Sequence, residues 1–201
     1  KSELYLELFE FLTGKAISAP STIISHFGHR VAHLDRQIPR DRGIVIAPGA
    51  SITLREWPGF ESLVRELYCR YPELPIHIVG TDPKWRKLSR CCPGVIDDIG
   101  KTTVPQLIEL CRGARAVVAN DSGVAHLAAT IAHAPTAVLF GPGDPEYIRP
   151  LGEAVWELKV RDLSCSPCEK SYCRAFFGYQ VCLDRLTVNS VLETIGEMLS
   201  L

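Results

Sequence analysis

The stretch Ala116-Val117-Val118-Ala119-Asn120-Asp121-Ser122-Gly123-Val124-Ala125-His126 reads as a buried strand that runs straight into a helix. An acid, a hydroxyl and a glycine stand at the junction. A helix start leaves backbone N–H groups unbonded and carries the positive end of the helix dipole, so it suits an anion. In an open parallel sheet, ligands lie at the carboxyl ends of strands, where this junction falls. The residues therefore point to a phosphate-bearing ligand.

The neighbouring sequence repeats the strand-then-helix order. Ile44–Ala47 is a first strand, followed by Pro48-Gly49-Ala50-Ser51, and a helix opens near Pro58 with Phe60, Leu63, Val64, Leu67 and Tyr71 at helical spacing. A second strand is expected over 76–79, and Asp82-Pro83 then reads as an N-cap with proline at the first helical position. Val95-Ile96 is a short third strand. Thr103 and Gln106 form a capping box for a helix expected to turn Val104, Leu107, Ile108 and Cys111 inward. The fourth strand is the opening stretch, and its helix, over 122–132, is expected to face the sheet with Val124, Leu127, Ala128 and Ile131. A fifth strand over 135–140 ends in the loop Gly141-Pro142-Gly143-Asp144-Pro145, and Thr187 caps a last helix carrying Val188, Val191, Leu192, Ile195 and Leu199. Apolar strands alternating with helices imply a parallel sheet with helices on both faces. The reading is one Rossmann-like α/β domain over 44–201. Residues 1–43 form a helix stopped at Gly14 and a connector containing Pro20 and Pro39, as expected of the tail of an upstream domain.

Bulk properties narrow the function classes. Of the 201 residues 46% are hydrophobic, enough for a real core, and a net charge of -1 gives no basic field for nucleic acid. No apolar run approaches the ~20 residues of a membrane span. The first strand is not followed by G-x-G-x-x-G, which argues against a nicotinamide-dependent oxidoreductase.

The polar candidates share one edge. Ser122 and His126 lie one helical turn apart and can both donate to phosphate oxygens. Ser51 and Arg55 follow strand one, where a hydroxyl and a planar donor fork suit a diphosphate. Asp82 follows strand two as a ribose acceptor or simply a helix cap, and Thr102 follows strand three. His26, His29 and His33 sit in the connector without an acid or cysteine at ligand spacing, and Asp97-Asp98 reads as a solvated turn.

The eight cysteines split in two. Cys69, Cys91, Cys92 and Cys111 read as buried reduced thiols among apolar neighbours. Cys165, Cys168, Cys173 and Cys182 have C-x2-C-x4-C-x8-C spacing, open to a structural zinc, reduced thiols, disulfides or an iron–sulfur cluster. Phe176, Phe177 and Tyr179 would give this loop its own small core.

Taken together, Ile46-Ala47-Pro48-Gly49-Ala50-Ser51 with Arg55-Glu56-Trp57-Pro58, Asp121-Ser122-Gly123-Val124-Ala125-His126-Leu127-Ala128-Ala129 and Phe140-Gly141-Pro142-Gly143-Asp144-Pro145 resemble the family 9 glycosyltransferases. These are the ADP-heptose:lipopolysaccharide heptosyltransferases, and the Cys165-Ser166-Pro167-Cys168 loop is similar to their type II members. The likeness spans 44–201, with a fainter match of residues 1–14 to the helix joining the family's two halves. It implies one half of a GT-B enzyme, the C-terminal half that binds ADP-heptose. By the family's pattern Asp121, Ser122, Gly123, Val124 and His126 surround the diphosphate and sugar. Ser51 and Arg55 hold phosphate from the opposite loop, Asp82 faces the ribose, and Thr102 lies near adenine. The family usually carries lysine at Arg55 and a second hydroxyl at Ala50. The catalytic base is expected in the other half, which also binds the lipid A–core acceptor, so no catalytic residue is assigned here. No metal is required. The resemblance places the enzyme in the cytoplasm, in peripheral contact with the inner membrane. The alternatives are a non-catalytic nucleotide-binding module and a GT-B enzyme or epimerase with a uridine donor.

Overall fold

The structure is a computed structural model that describes residues 43–168, 170–173 and 180–200. The N-terminal helix and connector, the three connector histidines and the aromatic run at 176–179 lie outside the described residues. Six parallel strands form one sheet: β1 (Ile44–Ala47), β2 (Ile76–Ile78), β3 (Val95–Asp97), β4 (Ala116–Asn120), β5 (Thr136–Phe140) and β6 (Val155–Lys159), in the order β3-β2-β1-β4-β5-β6. This is the doubly wound order of a Rossmann-like sheet. The sixth strand was not foreseen. Its Val-Trp-Glu-Leu-Lys pattern is half-exposed, as suits an edge strand, and lacks the continuous apolar run that marks the central ones.

Register and burial explain why the central strands are apolar throughout. Ile44 pairs with both Ile76 and Ala116, which places β1 in the middle of the sheet. Ile44 and Ile46 enter one core, whereas Val45 and Ala47 enter the core on the opposite face. The first face is covered by α1 (Phe60–Arg70), a 3-10 helix (Pro83–Arg90) and two helices near the C-terminal end, the short α5 (Val181–Asp184) and α6 (Val188–Leu199). The second face is covered by α2 (Val104–Arg112) and by α3 (Gly123–His126), which continues as a π-turn over Leu127–Ile131. A four-residue helix, α4 (Pro145–Ile148), follows β5 and is capped by Asp144 inside what the sequence presents as plain loop.

The caps follow sequence chemistry. Asp82 accepts from the Lys84 backbone N–H, Thr103 and Gln106 make the reciprocal capping box, and Thr187 accepts from the Ser190 N–H. Three burial expectations need correction. Val104 is 58% exposed, because position one of α2 stands at the cleft mouth before the helix meets the sheet. The residues that α3 and its π-turn bury are Ala125, Ala128 and Ala129, with Ala132 beyond, while Val124, Leu127 and Ile131 are only half-buried at the flank. Small side chains let this segment lie close to the strands, and the larger ones pack against the edge of the same core. Among the first cysteine group, Cys92 and Cys111 are buried, Cys91 is half-buried and Cys69 is exposed on α1.

Trp57 locks the β1 loop onto the first core. It is 1% exposed, its indole donates to the Leu186 carbonyl at 2.9 Å, and its ring meets Phe60 edge-on at 5.2 Å. A Cβ at residue 59 would overlap that ring, so only glycine fits there. Gly59→Ala is therefore expected to cost about 1–3 kcal/mol, the usual range for overpacking a core that cannot yield. Urea unfolding midpoints measure it.

Candidate functional site

The order of the strands reverses at β1 and β4, which are neighbours although their helices lie on opposite faces. The loops leaving their carboxyl ends therefore diverge and open a crevice. A cleft of about 430 Å³ occupies this point. Of the residues singled out in the sequence, Ser51, Asp82, Thr102, Ser122, Gly123 and Val124 line it. Arg55, Asp121 and His126 are not part of its wall.

Arg55 and Asp121 form an ion pair beside the cleft, with Nη1 3.1 Å from Oδ2. The carboxylate side chain is 6% exposed and the guanidinium 29%. Burial pushes the Asp121 carboxyl above the usual aspartate range, while Arg55 and His126 pull against that shift. The Gly141-Pro142-Gly143 turn comes in so closely that a Cβ on Gly143 would stand 2.8 Å from Asp121 Oδ2. Asp121 is thus held from two sides and does not act as a helix cap.

Ser122 holds the N-cap position of α3 with extended backbone, yet its hydroxyl makes no capping bond. That oxygen is buried and without a partner. Gly123 beside it is exposed, and a Cβ there would meet nothing within 4 Å. A hydroxyl at the start of a helical turn, next to open space, is free to serve a ligand oxygen. His126 is exposed one turn on, and the protein packed around its ring lowers its imidazole pKa against the pull of Asp121.

The far wall is built from the β2 loop. Asp82 spends one oxygen on the Lys84 N–H at 3.0 Å and the other on Lys84 Nζ at 3.0 Å, and the backbone bond from Lys84 leads the causes that hold its pKa down. A carboxylate keeps further lone pairs beyond these two contacts. Lys84 Nζ also grips both oxygens of the buried Glu56, at 2.9 and 2.8 Å, and this bond is the main cause that raises the lysine's pKa. The lysine thereby joins the β1 loop to the β2 loop across the back of the cleft. Asp97 and Asp98 are no solvated turn: Asp98 lies 2.7 Å from His77 Nδ1, and Asp97 pairs with Arg86 and Lys101.

Four residues that the sequence reading passed over build this site. Asn120 donates to the Pro48 carbonyl at 2.7 Å and accepts from the Trp57 N–H at 3.0 Å. Glu56 and Lys84 form the bridge just described, and Trp85 lines the cleft. A polar residue closing an apolar strand, as Asn120 does, was the available signal. The Glu56–Lys84 contact spans 28 residues and left none.

Cys165, Cys168, Cys173 and Cys182 line one second cavity of about 330 Å³, together with Leu54 and Pro142. All eight cysteines are free thiols. No group of three or more His, Cys, Asp or Glu side chains among the described residues is arranged to hold a metal ion. Burial raises the Cys182 thiol pKa, so this thiol stays protonated near neutrality.

The sequence model of glycosyltransferase family 9 (heptosyltransferase) matches residues 3–176. The chain belongs to this family. Lipooligosaccharide heptosyltransferase 2 of Haemophilus influenzae is 31% identical over 101 residues, which is 50% of this chain and 28% of that protein. Lipopolysaccharide heptosyltransferase 1 of Pseudomonas aeruginosa is 30% identical over 135 residues, 65% of this chain and 37% of that protein. Among solved structures, Escherichia coli ADP-heptose lipopolysaccharide heptosyltransferase II superposes with a TM-score of 0.63 at 19% identity, over 92% of this chain and 53% of that one. Escherichia coli heptosyltransferase WaaC with ADP gives 0.62 at 23% identity, over 96% and 54%. The iron-containing dodecameric glycosyltransferase TibC of enterotoxigenic E. coli gives 0.63 at 17% identity, over 82% and 47%. The chain spans about half the length of these solved structures or less, and the fold it shares with them is the six-stranded parallel sheet.

The Arg55–Asp121 pair makes a two-sided prediction. Arg55→Met should cost about 2–3 kcal/mol at neutral pH, below the value for a wholly buried pair because the guanidinium is partly solvated. Its penalty relative to the parent protein should grow as pH rises through the raised folded-state value of Asp121 toward the still higher value that the carboxyl takes once Arg55 is removed, where an unpaired buried carboxylate must ionise. Adding Asp121→Asn should recover most of the loss. Denaturation of both single variants and the double variant, at acid and neutral pH, gives the coupling.

Proposed function

We propose that this chain is the C-terminal, donor-binding half of a heptosyltransferase and that its β1–β4 cleft binds ADP-heptose. The observation that carries the reading is the Ser122 hydroxyl: buried, unpartnered and set at a helix start beside the unobstructed Gly123. Such a group, at the switch point of a doubly wound sheet, matches the needs of a diphosphate. Solved relatives carry ligands of this chemistry, ADP in WaaC and ADP-D-beta-D-heptose in TibC.

In this reading Ser51 approaches the diphosphate from the β1 loop and Ser122, Gly123 and Val124 from the β4 junction. Asp82 takes a ribose hydroxyl with its remaining lone pairs, and Thr102 stands at the base. Arg55, its direction fixed by Asp121 next to Ser122, adds positive charge beside the same junction. Glycosyl transfer requires a nucleoside diphosphate to depart, and fixed donors around the diphosphate stabilise the charge that develops on it. Deprotonation of the acceptor hydroxyl falls to an acid in the other half, which also receives the lipid A–core acceptor. The working location is the cytosolic face of the inner membrane, reached peripherally; no helix among the described residues is long and apolar enough to cross a membrane. The four thiols around the second cavity have the ligand chemistry of a structural zinc, and among the described residues no group of three or more ligands is arranged to hold one.

Calorimetry of the chain with ADP, UDP and GDP tests the reading. ADP is expected to bind most tightly, and equal or absent binding of all three overturns it. Tighter binding of UDP would favour a uridine donor. Ser122→Ala should weaken ADP about tenfold, as for one hydrogen bond to a charged group. Because Ser122 makes no cap bond, the same change should cost less than ~0.5 kcal/mol of stability, against ~1 for an ordinary N-cap serine.

His126 supplies a pH test. Its imidazole pKa is depressed in the free protein, and a neighbouring diphosphate favours the charged form and raises it. ADP affinity should therefore rise as pH falls from the bound-state value toward the depressed free value. His126→Gln should remove that part of the profile. Measuring both proteins across the same range cancels the nucleotide's own titration.

A further inference from the structure

Trp85 is the second buried donor of the cleft, and nothing among the described residues accepts its N–H. The residue is 9% exposed, it lines the cleft, and its indole nitrogen is buried without a hydrogen-bond partner. An indole N–H can only donate, and a buried donor left unpaired costs the folded state the desolvation of that group. Trp57 on the same core has its N–H bonded to the Leu186 carbonyl, so an unpaired indole is not the rule in this molecule.

The ring itself is held firmly. Trp85 lies edge-on to Phe60 at 6.0 Å, and the ammonium groups of Lys84 and Lys87 stand 5.4 and 5.6 Å from its centre. Asp82 caps its helix three residues before it. Its N–H edge is turned to Gly49 in the β1 loop: a Cβ at residue 49 would lie 3.7 Å from Nε1 and 3.8 Å from Cδ1. That is ordinary contact distance, so packing alone does not demand glycine at this position. A side chain there would nonetheless stand over the N–H on the side of the cleft.

We propose that the Trp85 indole N–H donates to a ribose–phosphate oxygen of the nucleotide, across the window left by the bare α-carbon of Gly49. Trp85 is then a binding residue placed between the Asp82 turn and the Ser51 and Ser122 hydroxyls, all of which border the same cleft. The proposal rests on the cleft binding a nucleotide, as argued above. It adds a donor that orients the ribose–phosphate unit and gives Gly49 a role.

The chain has three tryptophans, so a proton–nitrogen spectrum contains three indole signals, and Trp85→Phe identifies the one from Trp85. Titration with ADP should move that signal downfield, with the midpoint seen by calorimetry, and slow its exchange with solvent. The Trp57 indole, already bonded, should stay in place. Trp85→Phe should weaken ADP about five- to tenfold, the loss of one hydrogen bond. Gly49→Ala keeps the Trp85 ring and is expected to fold normally, yet it should suppress the downfield shift and weaken ADP to a similar extent. If backbone amides of Ser122 and Gly123 respond to ADP while the Trp85 indole does not, the N–H is not a ligand donor and the nucleotide reading stands without it. If ADP moves no signal and releases no heat, both fail.

Discussion

The buried amide of Asn120 is the contact on which the site depends. It closes β4 at zero exposure, donates to the Pro48 carbonyl and accepts from the Trp57 N–H. An amide so deeply buried is tolerated only where its donors and acceptors are used, and here both go to the loop that leaves β1. The consequence is geometric. With residues 48 and 57 fixed to the end of β4, the chain between them must curl over the neighbouring strand. Arg55 is thereby delivered to Asp121, one residue beyond the amide. Trp57 completes the anchoring by reaching across the first core to Leu186. The cleft is thus the space that remains when two diverging loops are tied together at their base.

Residues 121 to 123 were legible in the sequence because their signals are local. A strand's apolar run, a helix start and the residues at their junction lie within a dozen positions, and the strand order then sets them at the carboxyl edge of the sheet. The same locality made the Thr103–Gln106 and Thr187 caps readable. What the sequence concealed is long-range or atypical. Lys84 and Glu56 meet only after folding, and Arg55 announces a cation without announcing that Asp121 holds it. The β6 strand escaped because an edge strand alternates and is half-exposed. The helix after β4 kept its place and its face but not its order of burial: a π-turn shifts the angle at which successive side chains project, so Ala128 is buried as the 3.6-residue period selects, Ala125 and Ala129 join it, and Val124, Leu127 and Ile131 pack only partly buried at the flank.

The four-cysteine loop has a structural meaning apart from any metal. The Cys168 N–H donates to the Pro142 carbonyl at 2.9 Å, and the Ser166 hydroxyl donates to the Gly141 carbonyl at 3.1 Å. Gln180, past the third cysteine, donates to the Thr53 carbonyl at 3.1 Å. The loop therefore grips both flanks of the Arg55–Asp121 pair: the turn preceding Arg55, and the glycine–proline turn pressed against Asp121. Its thiols face a cavity walled in part by Leu54, the residue next to Arg55. The described residues of a segment that looks like an independent appendage in sequence form a brace in space.

The distribution of unsatisfied polar atoms gives the cleft its character. The buried side-chain atoms without a hydrogen-bond partner among the described residues are Arg55 Nε, Trp85 Nε1, Asp121 Oδ2, Ser122 Oγ and Gln180 Oε1. Every one belongs to the cleft, to the ion pair beside it or to the brace around that pair. Asp121 Oδ2 is within ion-pair range of Arg55, so its need is met by charge rather than by a directed bond. Of the remaining four, Arg55 and Trp85 offer N–H groups that can only donate, and the Ser122 hydroxyl can donate as well. Unmet donors gathered at one edge are costly to the free protein and complementary to an oxygen-rich anion. Stability given up locally in this way is the cost of leaving this edge unpaired, and it fits the nucleotide site proposed above.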